Sequence, residues 1–228
     1  DWGIKYKMFW SNFLRLLVLL SSGAGVALEI FFLTLLFSLP LGLFVALGRM
    51  SKKRWISAPI ELYILVVRGT PLLLQLWFIY YAPYFILPEG FKINMDRFVA
   101  TIVAFSLNYA AYFAEIYRGG IESISQGQYE AAAVLGFTRT QTFIRIIMPQ
   151  VIKRILPAVS NEVITLVKDT ALAMSLGIEE LFRVAKNEAA RVFSTTPIFV
   201  AGLFYLAMNW GVTMIFKMLE RKLDYYKG

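Results

Sequence analysis

Five long apolar segments limit what this chain can fold into more than any other feature. They cover approximately residues 26–47, 60–87, 98–117, 155–176 and 198–216. Each is long enough to cross roughly 30 Å of hydrocarbon as a helix that rises about 1.5 Å per residue. A chain of 228 residues that is 58% hydrophobic and 17% charged, with a mean hydropathy of +0.62, is too apolar for a soluble domain. The sequence predicts an all-α integral membrane protein with five transmembrane helices in a single transmembrane domain, residues 1–228.

The N-terminal segment, residues 1–24, differs from these five. Its apolar run at residues 9–20 is short and contains Arg15, and Lys5, Lys7 and Trp10 lie close to it in sequence. This composition is typical of an amphipathic helix that lies in the membrane interface. We predict an N-terminal interfacial helix; a sixth membrane span is the alternative.

Lysine and arginine are unevenly distributed between the loops. They are concentrated after the first span, in residues 118–154 and after the fifth span, whereas the other loops carry fewer and include Glu179, Glu180 and Glu188. Loops rich in Lys and Arg stay on the cytoplasmic side. We therefore expect the N-terminus outside the cell and the C-terminus in the cytoplasm. Contact with membrane lipids then accounts for the net charge of +8, and no nucleic-acid partner is expected.

The residue types that are missing exclude several classes of enzyme. The sequence contains no Cys and no His, so thiol chemistry, disulfides and nearly all zinc sites are excluded. The common pairs of nucleophile and base cannot be built. The G-x-x-x-x-G-K-[ST] loop that binds nucleotide phosphates is also missing. We expect no catalytic residues, no metal site and no cofactor in this chain.

The loop between the third and fourth spans is polar and basic, and we expect it to be cytoplasmic. Ser125 with Gln128, and Thr138 with Gln141, have the spacing of capping boxes at helix starts. Gly136 lies between them and suits a left-handed helix end. The pattern predicts a helix-turn-helix. An ordinary amphipathic hairpin and a docking element for a soluble protein both fit it.

This loop resembles the EAA loop of permease subunits in ATP-binding-cassette (ABC) importers, where Glu-Ala-Ala precedes a Gly and a later I-x-L-P. Met148 replaces the usual Leu, which is a volume-conserving change. The resemblance implies that a separate ATPase, which binds ATP and Mg, docks on this loop. The residues that match the pattern are Glu130, Ala131, Ala132, Gly136, Ile146 and Pro149. Those that the resemblance assigns to ATPase coupling are Gln128, Glu130, Ala131, Ala132, Gly136 and Pro149.

Three further segments resemble signatures of the polar amino-acid branch of these permeases, which includes histidine, arginine and glutamine permeases. They are residues 68–75 (Arg-Gly-Thr-Pro-Leu-Leu-Leu-Gln), 114–121 (Ala-Glu-Ile-Tyr-Arg-Gly-Gly-Ile) and 168–170 (Lys-Asp-Thr). The resemblance implies an ATP-driven importer of polar amino acids in a prokaryotic inner membrane, working by alternating access. It also implies two ATPase subunits, a second permease subunit, identical or homologous, and an extracellular or periplasmic amino-acid-binding protein as partners.

Polar residues inside the predicted spans recur on single helix faces. Charges at membrane depth are unfavourable and are kept mainly when they are paired or face water. Gly69-Thr70-Pro71 interrupts the second span, as in a broken helix that lines a cavity or in a simple proline kink. The residues that share faces are Thr101, Asn108 and Glu115 in span three, Glu162, Thr165 and Asp169 in span four, and Glu61 and Arg68 in span two.

Two interpretations of these faces remain open. The polar residues line a pathway for a zwitterionic amino acid, or they form structural ion pairs, Arg68 with Glu61 and Lys168 with Asp169. The acidic residues favour basic amino acids. A self-sufficient channel or an ion-coupled secondary transporter is the alternative function, and it would use the same charges. The candidate substrate-binding residues are Glu61, Arg68, Gly69, Thr70, Asn108, Glu115, Lys168, Asp169 and Thr170.

Overall fold

The structure, a computed structural model, describes residues 2–89 and 92–223. Residue 1, residues 90–91 and residues 224–228 belong to the predicted domain but lie outside the described residues. All secondary-structure elements of the described residues are helices, including a π-helical turn at Phe143–Ile147 and a 3₁₀ segment at Thr170–Leu176. The α-helices are α1 (Trp2–Arg49), α2 (Arg54–Gly69), α3 (Leu72–Phe85), α4 (Arg97–Glu122), α5 (Gln126–Val134), α6 (Arg139–Thr142), α7 (Met148–Asp169), α8 (Leu181–Val192) and α9 (Thr196–Leu223).

Helix α1 contains two segments that were predicted from the sequence to be separate helices. It is one continuous helix of 48 residues, whereas we predicted an interfacial helix followed by a separate span. Its apolar surface continues across the predicted boundary, because Leu16 and Leu20 pack in the same cluster as Leu181 of α8 and Val200 of α9. The N-terminal half of α1 is therefore part of the helix bundle, and the boundary predicted near residue 24 is not present in this helix.

The predicted second span is broken, and its two parts diverge strongly. Helices α2 and α3 are bent by 114° relative to each other. Pro71 precedes the first residue of α3 with φ −61°, and its nitrogen carries no hydrogen to continue the ladder of α2. The bend is far larger than a proline kink within one helix. Of the two interpretations of this segment, the broken helix is the one found.

Three described helices are long and apolar enough to cross a membrane, namely Trp10–Arg49, Arg97–Glu122 and Thr196–Leu223. A fourth crossing results if α2 and α3 form one broken span. The predicted fourth span corresponds to α7 and the 3₁₀ segment, but Glu162, Lys168 and Asp169 make α7 less apolar. The all-helical fold is confirmed, and the count of five spans stays a prediction.

Helix α4 forms the centre of the bundle. Phe105, Tyr109 and Phe113 are almost completely buried in its core cluster. Helix α1 approaches it closely at Gly42, where an added Cβ would lie 2.9 Å from Cβ of Phe113. Small residues allow such close approach between membrane helices. Helix α4 also contacts α2, α3 and α7, through Glu115, Asn108 and Tyr109 respectively.

Helix α8 is anchored by a buried acid. Glu180 is 0% exposed. Its carboxylate accepts hydrogen bonds from the backbone nitrogens of Phe182 (2.8 Å) and Arg183 (2.7 Å) and from the hydroxyl of Tyr205 (2.9 Å). Burial raises the pKa of the Glu180 carboxyl, and these hydrogen bonds act in the opposite direction. Glu180 is therefore a helix cap that joins α8 to α9, and not a solvated loop charge.

Candidate functional site

A cavity of about 450 Å³ lies where the break between α2 and α3 meets α4 and α7. We call it the acidic cavity, because the charged side chains among its described lining residues are Glu162 and Asp169. Its size is in the range of small-molecule sites. The other polar groups of its wall are Thr70, Asn108, Tyr109, Tyr112 and Thr165.

Asp169 is held by a neighbour that the sequence analysis did not name. The hydroxyl of Tyr109 donates to Oδ2 of Asp169 at 2.7 Å. Lys168, the partner in the structural interpretation, is exposed on the adjoining face of α7. Successive residues on an α-helix point about 100° apart, which explains why the two diverge. The Lys168–Asp169 ion pair of the structural interpretation is not found, and a tyrosine hydroxyl contacts Asp169 instead.

A polar network closes the acidic cavity at the helix break. The hydroxyl of Thr70 donates to the backbone oxygen of Val66 at 2.8 Å, so its hydrogen is already used inside the protein. Nε2 of Gln75 lies 2.9 Å from Oγ1 of Thr70. Nδ2 of Asn108 donates to Oε1 of Gln75 at 3.0 Å. The network links the end of α2, the start of α3 and the middle of α4.

A second cavity of about 450 Å³ adjoins the first, since Tyr112 lines both. We call it the charged cavity; its charged lining residues are Arg49, Glu61, Arg68 and Glu115. Nη2 of Arg49 lies 3.0 Å from Oε1 of Glu61. Nη1 of Arg68 lies 3.7 Å from Oε2 of Glu115, and its guanidinium lies 5.3 Å from the centre of the Tyr112 ring.

These contacts correct the predicted Arg68–Glu61 pair. The two residues are seven positions apart in α2, about 10 Å along the helix axis. Each instead pairs with a side chain on another helix, Glu61 with Arg49 of α1 and Arg68 with Glu115 of α4. Glu115 also accepts two hydrogen bonds from Arg118, at 2.7 and 3.1 Å. The ion pairs thus tie three helices together around the charged cavity.

The structure divides the predicted substrate-binding residues into three groups. Thr70, Asn108 and Asp169 line the acidic cavity, and Glu61, Arg68, Gly69 and Glu115 line the charged cavity. Lys168 and Thr170 line neither: Lys168 is exposed, and the buried hydroxyl of Thr170 donates to the oxygen of Val167 at 2.8 Å.

Four polar residues of the acidic cavity were not among the predicted site residues. Glu162 and Thr165 share a helical face with Asp169, so the same periodicity that selected Asp169 also marks them. Tyr112 lies one helical turn after Asn108 and was within reach of the same argument. Tyr109 carries no comparable signal, because a tyrosine in an apolar helix is indistinguishable from core until its hydrogen-bond partner is known.

The loop between α4 and α7 forms the predicted helix-turn-helix. Gly136 has φ 77°, and the nitrogens of Gly136 and Phe137 donate to the oxygens of Ala133 and Ala132, both at 3.0 Å. This is a Schellman helix end. Thr138 and Gln141 form the predicted capping box. Both features required specific residue types at fixed spacing, and both were predicted from them.

The capping box predicted at Ser125 does not form. Ser125 precedes α5 without a side-chain hydrogen bond to it. Oε1 of Gln128 instead accepts from Nε2 of Gln150 at 3.2 Å. Gln128 therefore bridges the hairpin to the start of α7 in place of capping its own helix.

One face of this hairpin is anchored and the other is exposed. Ala132 is 1% exposed, while Glu130 and Ala131 are exposed. Val134 and Leu135 are 88% and 73% exposed. Ile124, Ile147 and Val151 form a small apolar cluster under the hairpin, and Pro149 lies in the first turn of α7. We call the exposed face, formed by Glu130, Ala131, Val134 and Leu135, the hairpin face.

A helical bundle with polar cavities at a helix break, and an exposed hairpin at one end, has the architecture of a membrane transport subunit. Residues 38–225 match the family model described as the binding-protein-dependent transport system inner membrane component. The chain belongs to this family, whose members are membrane permease subunits and not enzymes.

Individual relatives agree with the family. The chain is 35% identical over 227 residues to the L-cystine transport system permease protein TcyB of Bacillus subtilis (strain 168), covering 99% of this chain and 92% of that protein. It is 38% identical to the arginine transport system permease protein ArtQ of the same organism, over 88% of this chain and 90% of the relative. A crystal structure of an amino acid ABC transporter with histidines superposes with a TM-score of 0.83, at 34% identity over 92% of this chain and 97% of that chain.

Proposed function

We propose that this chain is the permease subunit of an ABC importer that moves polar amino acids, preferably basic ones, into the cell by alternating access. The observation that carries the proposal is the acidic cavity, in which Glu162 and Asp169 face a space large enough for an amino acid. Relatives named for arginine and L-cystine transport support the substrate class.

The acidic cavity offers complementary groups to both ends of a basic amino acid. The two carboxylates suit the α-ammonium group and a cationic side chain. Thr70, Pro71 and Leu72 bring the first turn of α3 to the cavity wall. The N-terminus of a helix carries unpaired amide hydrogens and a partial positive charge, which suit the α-carboxylate. Substrate therefore lies across the helix break, between α3 and α7.

The charged cavity is the next compartment of the proposed pathway. It adjoins the acidic cavity at Tyr112 and lies further along α4 in the direction of the hairpin. The Arg68–Glu115 contact is long, 3.7 Å, and the Arg68 side chain is 44% exposed. An ion pair of this kind contributes little stability and is readily opened by a passing zwitterion. Glu61, Arg68, Gly69 and Glu115 are thus proposed to guide substrate inward.

The hairpin face is proposed to dock on a soluble ATPase that binds ATP and Mg. Glu130 is exposed for contact with a basic partner side chain, and Val134 and Leu135 offer apolar area. Ala131 lies on this face. Ala132, Gly136, Gln128 and Pro149 act indirectly: they anchor the hairpin, shape its turn and join it to α7.

One hairpin per chain supports an assembly in which two permease subunits meet two ATPase subunits. We propose two ATPase subunits, a second permease subunit and an external amino-acid-binding protein as partners in a prokaryotic inner-membrane complex. This chain is proposed to cross the membrane five times. The N-terminus lies outside and the C-terminus in the cytoplasm, as the distribution of Lys and Arg favours.

Reconstitution with a co-expressed ATPase tests this function. Proteoliposomes that contain the complex and the binding protein should take up radiolabelled arginine only with ATP inside, and glutamine more weakly. Uptake without ATP, driven by a proton or sodium gradient, would support the ion-coupled transporter instead. Uptake of neither amino acid, in a complex whose ATPase is stimulated by another solute, would contradict the substrate class.

A further inference from the structure

The side chain of Gln75 bridges the helix break and the wall of the acidic cavity. Its Nε2 lies 2.8 Å from the backbone oxygen of Val67, 3.0 Å from the backbone oxygen of Thr70 and 2.9 Å from Oγ1 of Thr70. Its Oε1 accepts from Nδ2 of Asn108 at 3.0 Å. Both polar ends of one amide are therefore used, one at the broken backbone and the other on α4.

The backbone determines which way this amide points. A carbonyl oxygen only accepts hydrogen bonds, so the two backbone oxygens require the NH₂ group of Gln75 on their side. The Val67 oxygen lies in the last turn of α2, where carbonyls have no partner within the helix. Oε1 of Gln75 must then point away from the break, towards Asn108. The orientation is fixed by chemistry, although nitrogen and oxygen of an amide have nearly the same shape.

The same constraint passes to Asn108. Because Oε1 of Gln75 can only accept, Asn108 must present its NH₂ group to it. Asn108 is 5% exposed and lines the acidic cavity. Its Oδ1 accepts no hydrogen bond from the residues that the structure describes. One acceptor oxygen is thus left on a side chain of the cavity wall, in the same cavity as Glu162 and Asp169.

We propose that Gln75 is a specificity-determining positioning residue, which fixes the polarity of the Asn108 amide so that its oxygen faces a cationic group of the substrate. The inference rests on the proposed amino-acid transport. Gln75 acts through Asn108 and does not itself line the cavity. An inverted Asn108 would offer N–H groups to the substrate, which suits an anion and repels an ammonium or guanidinium group.

Two substitutions of Gln75 test this role. Gln75→Met keeps the length of the side chain and removes both polar ends; Gln75→Leu removes both polar ends with a branched side chain of similar volume. Both should raise KM for arginine about tenfold in ATP-driven uptake, the effect expected from one lost hydrogen bond to a charged group. Vmax and basal ATP hydrolysis should stay near wild type. Leu74→Met, at an exposed neighbouring position, is the control and should leave KM unchanged.

A double-mutant comparison separates positioning from a structural role. In an Asn108→Ala background, Gln75→Met should raise KM no further, because the group that it positions is gone. Full additivity, or normal KM in folded Gln75 variants, would overturn the proposal. A merely structural Gln75 would lower the melting temperature of the complex with KM intact.

Two further outcomes of these measurements also decide the proposal. If neither Gln75 variant assembles, Asn108→Leu is measured alone, and normal arginine uptake by this variant overturns the proposal. If wild-type complex transports neither arginine nor glutamine, the proposed function itself has failed, which the wild-type control reveals before any variant is compared.

Discussion

The hydroxyl of Tyr109 donates to Oδ2 of Asp169 at 2.7 Å, and this contact joins α4 to α7 at the wall of the acidic cavity. Tyr109 is 2% exposed, so its ring is part of the core while its hydroxyl is part of the site. Asp169 is consequently held in position through one of its two carboxylate oxygens, Oδ2. We propose that the other oxygen accepts from an ammonium group of the substrate.

Asp169→Asn should reduce arginine uptake at least tenfold, because it removes a full charge from the cavity. The side chain keeps its shape and its contact with Tyr109, so the melting temperature of the complex should change little. Uptake and melting temperature are measured on the same purified variant. Lower stability with unchanged uptake per folded complex would assign Asp169 a purely structural role.

Tyr109→Phe removes only the hydroxyl and leaves the packing of the ring. Loss of a hydrogen bond to a charged group costs about 1.5–3 kcal/mol, and most of this should appear as weaker substrate binding through a less ordered Asp169. We expect KM for arginine to rise roughly tenfold. In the Asp169→Asn background, the same change should have a smaller effect. Equal effects in both backgrounds would show that Tyr109 does not act through Asp169.

Glu162→Gln should change substrate preference more than overall rate. Glu162 and Asp169 are the carboxylates among the described lining residues of the acidic cavity. Removing one weakens the attraction for arginine, which carries a second cationic group, more than for zwitterionic glutamine. The ratio of arginine to glutamine kcat/KM should fall several-fold. Lys168→Gln is the matched control on the exposed face of α7, and it should leave that ratio unchanged. A shift produced by the control alone would place the specificity on the other face.

Glu130→Lys should release the ATPase or uncouple ATP hydrolysis from transport, while the permease still folds. Glu130 is exposed on the hairpin face, so reversal of its charge disturbs a partner and not the core. Glu89→Lys is a suitable control, because the Glu89 side chain is 95% exposed and lies in a different loop. Normal copurification and normal coupled uptake with Glu130→Lys would refute the docking assignment.

Features that depend on local chemistry were predicted well from the sequence. Gly136 and the Thr138–Gln141 capping box each need particular residue types at fixed spacing, and the structure has both. An interruption at Pro71 was also predicted from the missing amide hydrogen, but the choice between a break and a kink required the structure. Such requirements depend on neighbouring residues and can be predicted without knowing the fold, unless a distant partner competes. Gln128 is the exception, because Gln150 takes the side chain that the capping box at Ser125 would need.

Features that depend on which helices meet could not be predicted. Ion-pair partners were sought within one helix, Arg68 with Glu61, whereas the structure pairs them across helices α1, α2 and α4. The continuity of α1 has the same origin, because Leu181 and Val200, which are far away in the chain, provide the surface that its N-terminal half covers. Periodicity identifies a polar face but not its neighbour.

The turn at Gly136 allows a prediction about backbone strain alone. Gly136→Ala places a side chain at φ 77°, although a Cβ would meet nothing within 4 Å. The cost should be about 1 kcal/mol from conformation, with weaker ATPase binding as the hairpin shifts. Gly127→Ala is the matched control, since its Cβ is also unobstructed but it lies inside α5. It should stabilise the helix by about 0.5–1 kcal/mol. Equal effects of the two changes on the binding of the ATPase would contradict this account.

Orientation in the membrane can be tested at the loop between α3 and α4. The chain contains no Cys, so Glu89→Cys introduces a single thiol at an exposed position. The distribution of Lys and Arg predicts that this loop lies outside the cell. A membrane-impermeant maleimide should then label it in spheroplasts whose cytoplasmic membrane is intact. Arg139→Cys, in the hairpin, should be labelled only after lysis. Labelling of Glu89→Cys exclusively from the cytoplasmic side would show that the topology is the reverse of the predicted one. The hairpin face would then lie where no ATPase can reach it.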